Sequence, residues 1–198
     1  MRKTSKAGVS FQKTAGRLFS SLPFSANQIT IGALVFALIG LYFAYLSQPL
    51  QSLVFFILAG ATDAIDGAVA RARNEVSARG AYIDGIIDRL VEFLLIISFA
   101  FFALPCFFVP VEASLVLLLF FGTCMTSFAT AYADHRKVAD EKAIAHQPGI
   151  FPRAERLVLL FIALAIVPFF PLASSYFLFA GAVLSIITFA QRFWYFAK

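Results

Sequence analysis

The chain has 198 residues, of which 61% are hydrophobic, 16% aromatic (25 of them Phe) and only 14% charged, with a formal net charge of +5. Soluble domains run at about 45–50% apolar and about 25% charged, so an ordinary water-soluble fold is excluded, and disorder, which needs low hydrophobicity and high charge density, is excluded with it. Two cysteines make no disulfide scaffold, and no Cys or His cluster has zinc-ligand spacing. What remains is an integral membrane protein in which the placement of 16 basic and 11 acidic residues carries the information.

At the N-terminus, Val9, Phe11, Leu18, Phe19 and Leu22 alternate with Lys and Arg. This pattern predicts an amphipathic helix lying in the headgroup plane over residues 1–25; a disordered basic tail is the plainer alternative. A signal peptide is not expected, because no cleavage-like site precedes the long apolar run. A membrane-crossing helix needs about 20 mostly apolar residues. Six segments answer to that: Asn27–Leu46, Leu50–Arg71, Gly80–Leu104, Val111–Tyr132, Arg156–Phe170 (short, extended by its flanks) and Leu172–Phe193. The breaks carry turn chemistry, at Ser47-Gln48-Pro49, from Pro105 to Pro110 and from Pro168 to Pro171. No internal repeat is visible and residues 133–151 form the only sizeable polar loop. The expectation is one all-α integral membrane domain over 1–198, with a juxtamembrane helix in 1–25 and a six-helix transmembrane bundle over 27–196.

In a six-span layout all 16 basic residues fall on one side. Arg2, Lys3, Lys6, Lys13 and Arg17 precede the first span; Arg71, Arg73, Arg79 and Arg89 surround the second connection. Arg136, Lys137, Lys142, Arg153 and Arg156 surround the fourth, and Arg192 and Lys198 end the chain. The opposite connections carry only Glu112. The positive-inside rule then predicts cytoplasmic termini and basic loops in a multi-pass cell-membrane protein. The +5 charge is thereby a topological signal, and no nucleic-acid partner is expected.

Carboxylates within a membrane are expensive and mark functional sites. Asp63, Asp66, Asp84 and Asp88 occur within 26 residues. Asp63 and Asp66 are three apart near the end of span two, and Asp84 and Asp88 four apart near the start of span three, so each pair shares one helix face. The short turn between the spans predicts antiparallel neighbours whose acidic faces meet beneath the cytoplasmic surface. Four such acids do not all stay ionised without counterions. Arg71 supplies one charge and divalent metal could supply the rest. All-oxygen ligation suits Mg²⁺ or Mn²⁺, and two ions about 3.5–4 Å apart would clamp a phosphoryl group. The alternative is an ion-pair network with Arg71 and Arg89. Gly67, Ala70 and Gly80 allow close backbone approach, to a ligand or to another helix.

The run Asp63-Ala-Ile-Asp66-Gly67-Ala-Val-Ala70-Arg71, eight residues, then Gly80-Ala-Tyr-Ile-Asp84-Gly-Ile-Ile-Asp88 resembles the D-x-x-D-G-x-x-A-R, eight residues, G-x-x-x-D-x-x-x-D signature of the CDP-alcohol phosphotransferases. All eight fixed positions and the gap match, and the six-span layout with a juxtamembrane helix fits the family along nearly the whole chain. The resemblance implies divalent-metal-dependent transfer of a substituted phosphate from a CDP-linked lipid (CDP-diacylglycerol or CDP-archaeol) to a water-soluble alcohol, releasing CMP. By position it implies Asp63, Asp66 and Asp84 as metal ligands of a two-metal site, and Asp88 as ligand and general base on the acceptor hydroxyl. It further implies Asp66, Gly67, Ala70, Arg71 and Gly80 at the CDP-lipid site, with Ser77 in the connecting turn. Asn27 and Thr30 match a P-N-x-x-T segment near the cytidine, although Ala26 stands where proline is usual. It also implies a homodimer, for which the small residues of spans three and four leave room. The chemistry agrees with the residues: phosphoryl transfer depends on positioning and charge neutralisation, and a carboxylate within hydrogen-bond reach can take the hydroxyl proton.

For the acceptor, Gly149-Ile-Phe-Pro-Arg153-Ala-Glu-Arg156-Leu resembles the G-I-x-x-R-x-E-R-L segment of phosphatidylinositol phosphate synthases and their archaeal ether-lipid counterparts. Tyr132 with Arg136 matches their Y-x-x-x-R. The resemblance implies inositol 1-phosphate, held by Arg136, Arg153 and Arg156, and guanidinium groups do bind phosphate bidentately. Residues 133–148 depart from those relatives, which keeps glycerol 3-phosphate and serine in view, as well as a plain solvated loop. Glu92 extends the Asp84, Asp88 series by a turn and reads as a structural residue, either a carboxylate supporting the metal ligands from behind or a partner of Arg89 or Arg71. His135 and His146 read as loop residues, Cys106 and Cys124 as small apolar fillers, and Trp194 and Tyr195 as an interfacial belt. A membrane transporter with an acidic metal site and a membrane prenyltransferase are the rival functions. The first favours midplane sites in repeated halves; the second has more spans and two separated acidic motifs.

Overall fold

The structure is a computed structural model that describes residues 26–73, 77–146 and 148–198. The side chains of Asn27, Asp63, Asp66, Gly67, Ala70, Glu141 and His146 lie outside that description, as does the expected juxtamembrane helix in 1–25. Every regular element among the described residues is helical. In chain order these are α1 (Ala26–Tyr45), α2 (Pro49–Ala72), α3 (Ala78–Ser98) with a 3₁₀ turn at Phe99–Phe101, α4 (Val111–His135), the short α5 (Glu141–His146), α6 (Arg153–Ile166) and α7 (Pro171–Ala197). Each of the six apolar segments is therefore a helix. Three helices, α1, α4 and α7, are long and apolar enough to cross a membrane by length and composition.

Local chemistry sets the boundaries. Pro49 and Pro171 occupy the first turns of α2 and α7, where a missing N–H costs nothing. Pro110 and Pro152 stand just before α4 and α6. Ser77 caps α3 by accepting a hydrogen bond from the Gly80 N–H at 3.0 Å. The third segment ends its α-helix at Ser98, earlier than the predicted Leu104, and the fifth runs Arg153–Ile166.

The helices form two groups. In the first, α2 and α3 are in contact among the described residues, as expected, and α1 lies along both as a strut. Its buried stripe is Thr30, Ala33, Ala37, Gly40 and Ala44, small residues spaced alternately by three and four, and such a stripe lets helices approach closely. At Gly40 an added Cβ would sit 3.1 Å from the ring of Phe56, a fully buried side chain of α2. In the second group α7 packs on α4 and α6 through Ser174, Leu178, Gly181, Ala182, Ser185 and Thr188. Contacts of α2 with α6 and of α3 with the middle of α4 join the groups, around a core of Leu95, Ile96, Phe99, Leu118, Leu160 and Leu178.

The helix α4 is irregular: α-helical ends at Val111–Leu117 and Thr126–His135 flank a π-helical stretch, Leu118–Met125. The Thr126 hydroxyl donates to the Gly122 carbonyl, satisfying an acceptor within the widened turn.

One end of the bundle is aromatic: Tyr45 meets Phe101 with ring centroids 5.7 Å apart, Phe107 meets Tyr176 at 5.3 Å, and Ser175 Oγ donates to the Pro105 carbonyl at 2.6 Å. The other end carries the charged side chains. Cys106 and Cys124 are exposed and unpaired, so neither is the core filler expected of it. Trp194 and Tyr195 are exposed near the end of α7.

The close approach at Gly40 has a measurable consequence. Gly40→Leu should destabilise the protein by about 1–3 kcal/mol through overpacking against Phe56, read as a lower unfolding temperature in detergent. Gly32→Ala, whose Cβ would meet Thr62 at an ordinary 4.0 Å, should leave that temperature unchanged.

Candidate active site

The charged end is organised by α3. Asp84, Asp88 and Glu92 recur every four residues and lie along one side of the helix. Asp84 and Asp88 are half-buried, and Asp84 Oδ1 is screened from solvent. Glu92, one turn deeper, is only 1% exposed.

The first turn of α6 faces this ladder. Arg153, its first residue, donates from Nη1 to Asp88 Oδ2 and from Nη2 to the Asp88 carbonyl at 3.2 Å. Its Nε lies 3.7 Å from Glu92 Oε2, an ion-pair distance. Arg156 donates from Nε to Glu92 Oε1, and the arginine is itself only 3% exposed. Glu92 thus pairs with arginines of α6, not with the Arg89 or Arg71 expected from its own neighbourhood. Arg89 turns to the Gly85 carbonyl, with Nη1 at 2.8 Å, and to Ser127 Oγ of α4 at 3.4 Å, while Arg71 is exposed on α2.

The segment before α6 is docked on α7. The Ile150 N–H donates to Gln191 Oε1 at 2.9 Å and the Phe151 N–H to Thr188 Oγ1 at 3.1 Å. Arg192 donates from Nε to the Pro148 carbonyl at 3.1 Å, and from Nη1 to the Thr126 carbonyl at 2.9 Å and to Thr130 Oγ1 at 3.2 Å. Gly149 has φ +152°, and a Cβ there would lie 2.5 Å from Thr188 Cγ2, so only glycine lets this strand of chain lie on α7.

A cavity of about 390 Å³ opens beside the ladder, lined by α1, α2, α3 and α6. Asp88, Arg153 and Thr30 mark its polar edge, and Phe56, Leu157 and Phe161 are among its apolar walls. Of the residues singled out in the sequence, Thr30, Asp88 and Arg153 therefore share one cavity, with Arg156 behind them through Glu92. Asp63, Asp66, Gly67 and Ala70 lie on the last turns of α2 and Asn27 on the first turn of α1, their side chains outside the described set. Ser77 and Gly80 meet in the α3 cap. Arg136 is not among the residues lining that cavity. Its guanidinium carbon stands 5.9 Å from the Tyr132 ring centroid, on a second groove lined by Phe128, Phe189 and Phe193 between α4 and α7.

Among the described residues no group of three or more His, Cys, Asp or Glu gathers as a metal site. The donor chemistry nonetheless fits a hard divalent cation: the acids of α2 and α3 offer only oxygen ligands, and Asp84 shares its side of α3 with Asp88, which lines the cavity. Thr188, Gln191 and Arg192 are residues that reading the sequence missed. Arg192 had a signal, since a charged residue inside an apolar helix is a functional flag; the two neutral residues had none.

A helical membrane bundle with carboxylates facing arginines beside an apolar cavity defines an enzyme class able to handle phosphate on a lipid. The chain belongs to the CDP-alcohol phosphatidyltransferase family, whose model matches residues 24–190. It is thus a multi-pass membrane transferase of phospholipid synthesis, which removes the transporter and prenyltransferase readings. It is 30% identical over 177 residues to archaetidylinositol phosphate synthase of Pyrococcus horikoshii, covering 89% of this chain and 86% of that protein. The fold is similar to that of Mycobacterium tuberculosis phosphatidylinositol phosphate synthase with CDP-DAG bound, with a TM-score of 0.80 at 19% identity, covering 96% of this chain and 94% of that one. The same enzyme in complex with manganese and citrate superposes with a TM-score of 0.77 at 20% identity, over 94% and 89% of the two chains.

Gly149→Ala should cost about 1–3 kcal/mol through backbone strain and shift the loop that carries Arg153. The expected result is a lower unfolding temperature together with lost transferase activity, measured as CMP release.

Proposed function

We propose that the chain transfers the lipid-bearing phosphate of a CDP-linked lipid to inositol 1-phosphate, releasing CMP. The observation that carries this reading is the meeting of Asp88 with Arg153 at the mouth of the cavity. An acid suited to take a hydroxyl proton stands against a cation suited to hold an anionic acceptor. The archaetidylinositol phosphate synthase likeness over most of both chains supports the same acceptor.

In this reading the acceptor hydroxyl oxygen attacks the lipid-bearing phosphorus. The anhydride P–O bond breaks with its electron pair leaving on CMP, and the Asp88 carboxylate takes the hydroxyl proton. Asp63, Asp66, Asp84 and Asp88 would hold Mg²⁺ or Mn²⁺ in a two-metal arrangement, which supplies neutralising charge to the diphosphate. Arg71, Gly67, Ala70 and Gly80 border the diphosphate, and Asn27, Thr30 and Ser77 the nucleotide. The apolar walls at Phe56, Leu157 and Phe161 suit a lipid chain of the donor, diacylglycerol- or archaeol-based. Arg153 takes the acceptor phosphate, with Arg156 behind it through Glu92, while Arg136 lies on the separate groove between α4 and α7. The one-sided distribution of basic residues supports six spans with cytoplasmic termini and this chemistry at the cytoplasmic face, where acceptor and CMP exchange with water. The outward apolar residues Leu90 and Phe93 of α3 and Phe120 and Phe128 of α4 suit a homodimer contact.

The test is CMP release by purified protein with Mg²⁺ or Mn²⁺, CDP-diacylglycerol or CDP-archaeol, and a panel of inositol 1-phosphate, glycerol 3-phosphate, serine and inositol. Turnover with inositol 1-phosphate is expected; turnover with glycerol 3-phosphate or serine alone would reassign the acceptor. Asp88→Asn should lower kcat by about 10²–10⁴-fold, the usual worth of a general base. Arg153→Ala should raise KM for the phosphorylated acceptor by about tenfold or more, as loss of a charged hydrogen bond does, and leave serine or inositol turnover unaffected.

A further inference from the structure

Glu92 and Arg156 form the most deeply buried pair of opposite charges among the described residues, at 1% and 3% exposure. Arg153, three residues before Arg156, keeps 30% of its side chain exposed, and Asp88 keeps 15%. The two arginines of α6 are therefore not equivalent. Arg153 borders the cavity; Arg156 runs behind it, across the π-helical stretch of α4. A Cβ on Gly122 would lie 3.1 Å from Arg156 Cδ, 3.3 Å from its Nε and 2.9 Å from Ser185 Oγ, so the absence of a side chain at Gly122 makes the slot in which Arg156 lies.

We infer that Glu92 and Arg156 are a positioning pair for Arg153, and that Arg156 is not itself a ligand of the acceptor. The inference rests on the function proposed above and divides the labour within it. A buried carboxylate stays ionised only if a cation is held against it. Arg156 does this at Oε1, and Oε2 then faces Arg153 Nε across 3.7 Å, an ion-pair contact longer than a hydrogen bond. Arg153 is thereby stretched along α3 from Glu92 to Asp88, with its two Nη atoms directed at the Asp88 side chain and carbonyl. For Arg156 to reach an anion in the cavity it would have to leave the Gly122 slot and break its hydrogen bond to Glu92 Oε1, leaving that buried carboxylate only the longer contact to Arg153. Arg153 needs no such movement.

The experiment uses the full chain in detergent or nanodiscs, with CDP-diacylglycerol and inositol 1-phosphate, and reads KM for each substrate and the unfolding temperature. Glu92→Met leaves Arg156 buried without a partner, so it should lower the unfolding temperature and raise acceptor KM by about two- to fivefold, the loss of one ion-pair contact to Arg153. Adding Arg156→Met replaces the pair by two apolar side chains, which bundles tolerate. The double variant should recover the unfolding temperature and keep the raised acceptor KM, with donor KM unchanged throughout. Recovery of acceptor KM together with stability would reduce the pair to a structural one and overturn the inference. So would effects of the two substitutions that multiply.

A second measurement needs no variant. Phenylglyoxal should modify Arg153 in the unaltered protein, inositol 1-phosphate should protect it, and Arg156 should stay unmodified in both conditions. Labelling of Arg156 that the acceptor blocks would make it a direct ligand. If the unaltered protein turns over no phosphorylated acceptor, the proposed function fails; if it does and Arg156 behaves as a ligand, only the positioning role fails.

Discussion

A charge buried among hydrocarbon side chains costs several kcal/mol unless an opposite charge lies against it, and that constraint shapes the working end of this bundle. Glu92 and Arg156 satisfy it for each other. Because they come from α3 and α6, meeting it ties together the two helical groups that the shared apolar core also joins. Arg153 and Asp88 then meet one turn nearer the surface as part of the same register. The remaining features follow from keeping that register. Gly122 makes room for Arg156, Gly149 lets the preceding chain lie on α7, and Thr188 and Gln191 fix the two N–H groups just before α6.

The strut role of α1 serves the same end from the other side. With small residues along its buried stripe it holds α2 and α3 at close range without filling the space between them, and a cavity remains beside Asp88. Bulky residues on that stripe would close the helices' approach at Gly40 and Phe56. A polar edge and apolar walls share one opening because Asp88 sits on α3 and Arg153 on the first turn of α6, while Phe56 and Phe161 line the same cavity from α2 and α6.

Much of the helix layout was legible in the sequence because proline acts locally. The missing N–H at Pro49 and Pro171 and the turn-forming stretch from Pro105 to Pro110 mark ends that tertiary packing does not override. The Asp84, Asp88 spacing was legible for the same reason, being a property of one helix. What the sequence hid depends on chain separation. Glu92 is 64 residues from Arg156, and nothing near Glu92 distinguishes that partner from Arg89, which turns to Ser127 instead. The difference between Arg153 and Arg156 was hidden too, since both belong to one motif and only packing against Gly122 buries the second. Arg136 shares their charge, yet stacking on Tyr132 directs it to another groove. The cysteines failed for a related reason: composition says that a small apolar side chain suits the interior, and says nothing of which helix face it occupies.

The π-helical stretch of α4 has a consequence for how chains of this kind are compared. Relative to a regular α-helix, a π segment absorbs additional residues without lengthening the path in proportion. Each residue of an α-helix turns by about 100°, so a relative lacking that extra residue would present everything downstream on a different bearing. Tyr132 and Arg136 would correspond to positions offset by one from those a gap-free alignment assigns, whereas Val111–Leu117 would stay in phase. An insertion or deletion within Leu118–Met125 is therefore a rotation of the second half of α4, and carries the aromatic groove around with it.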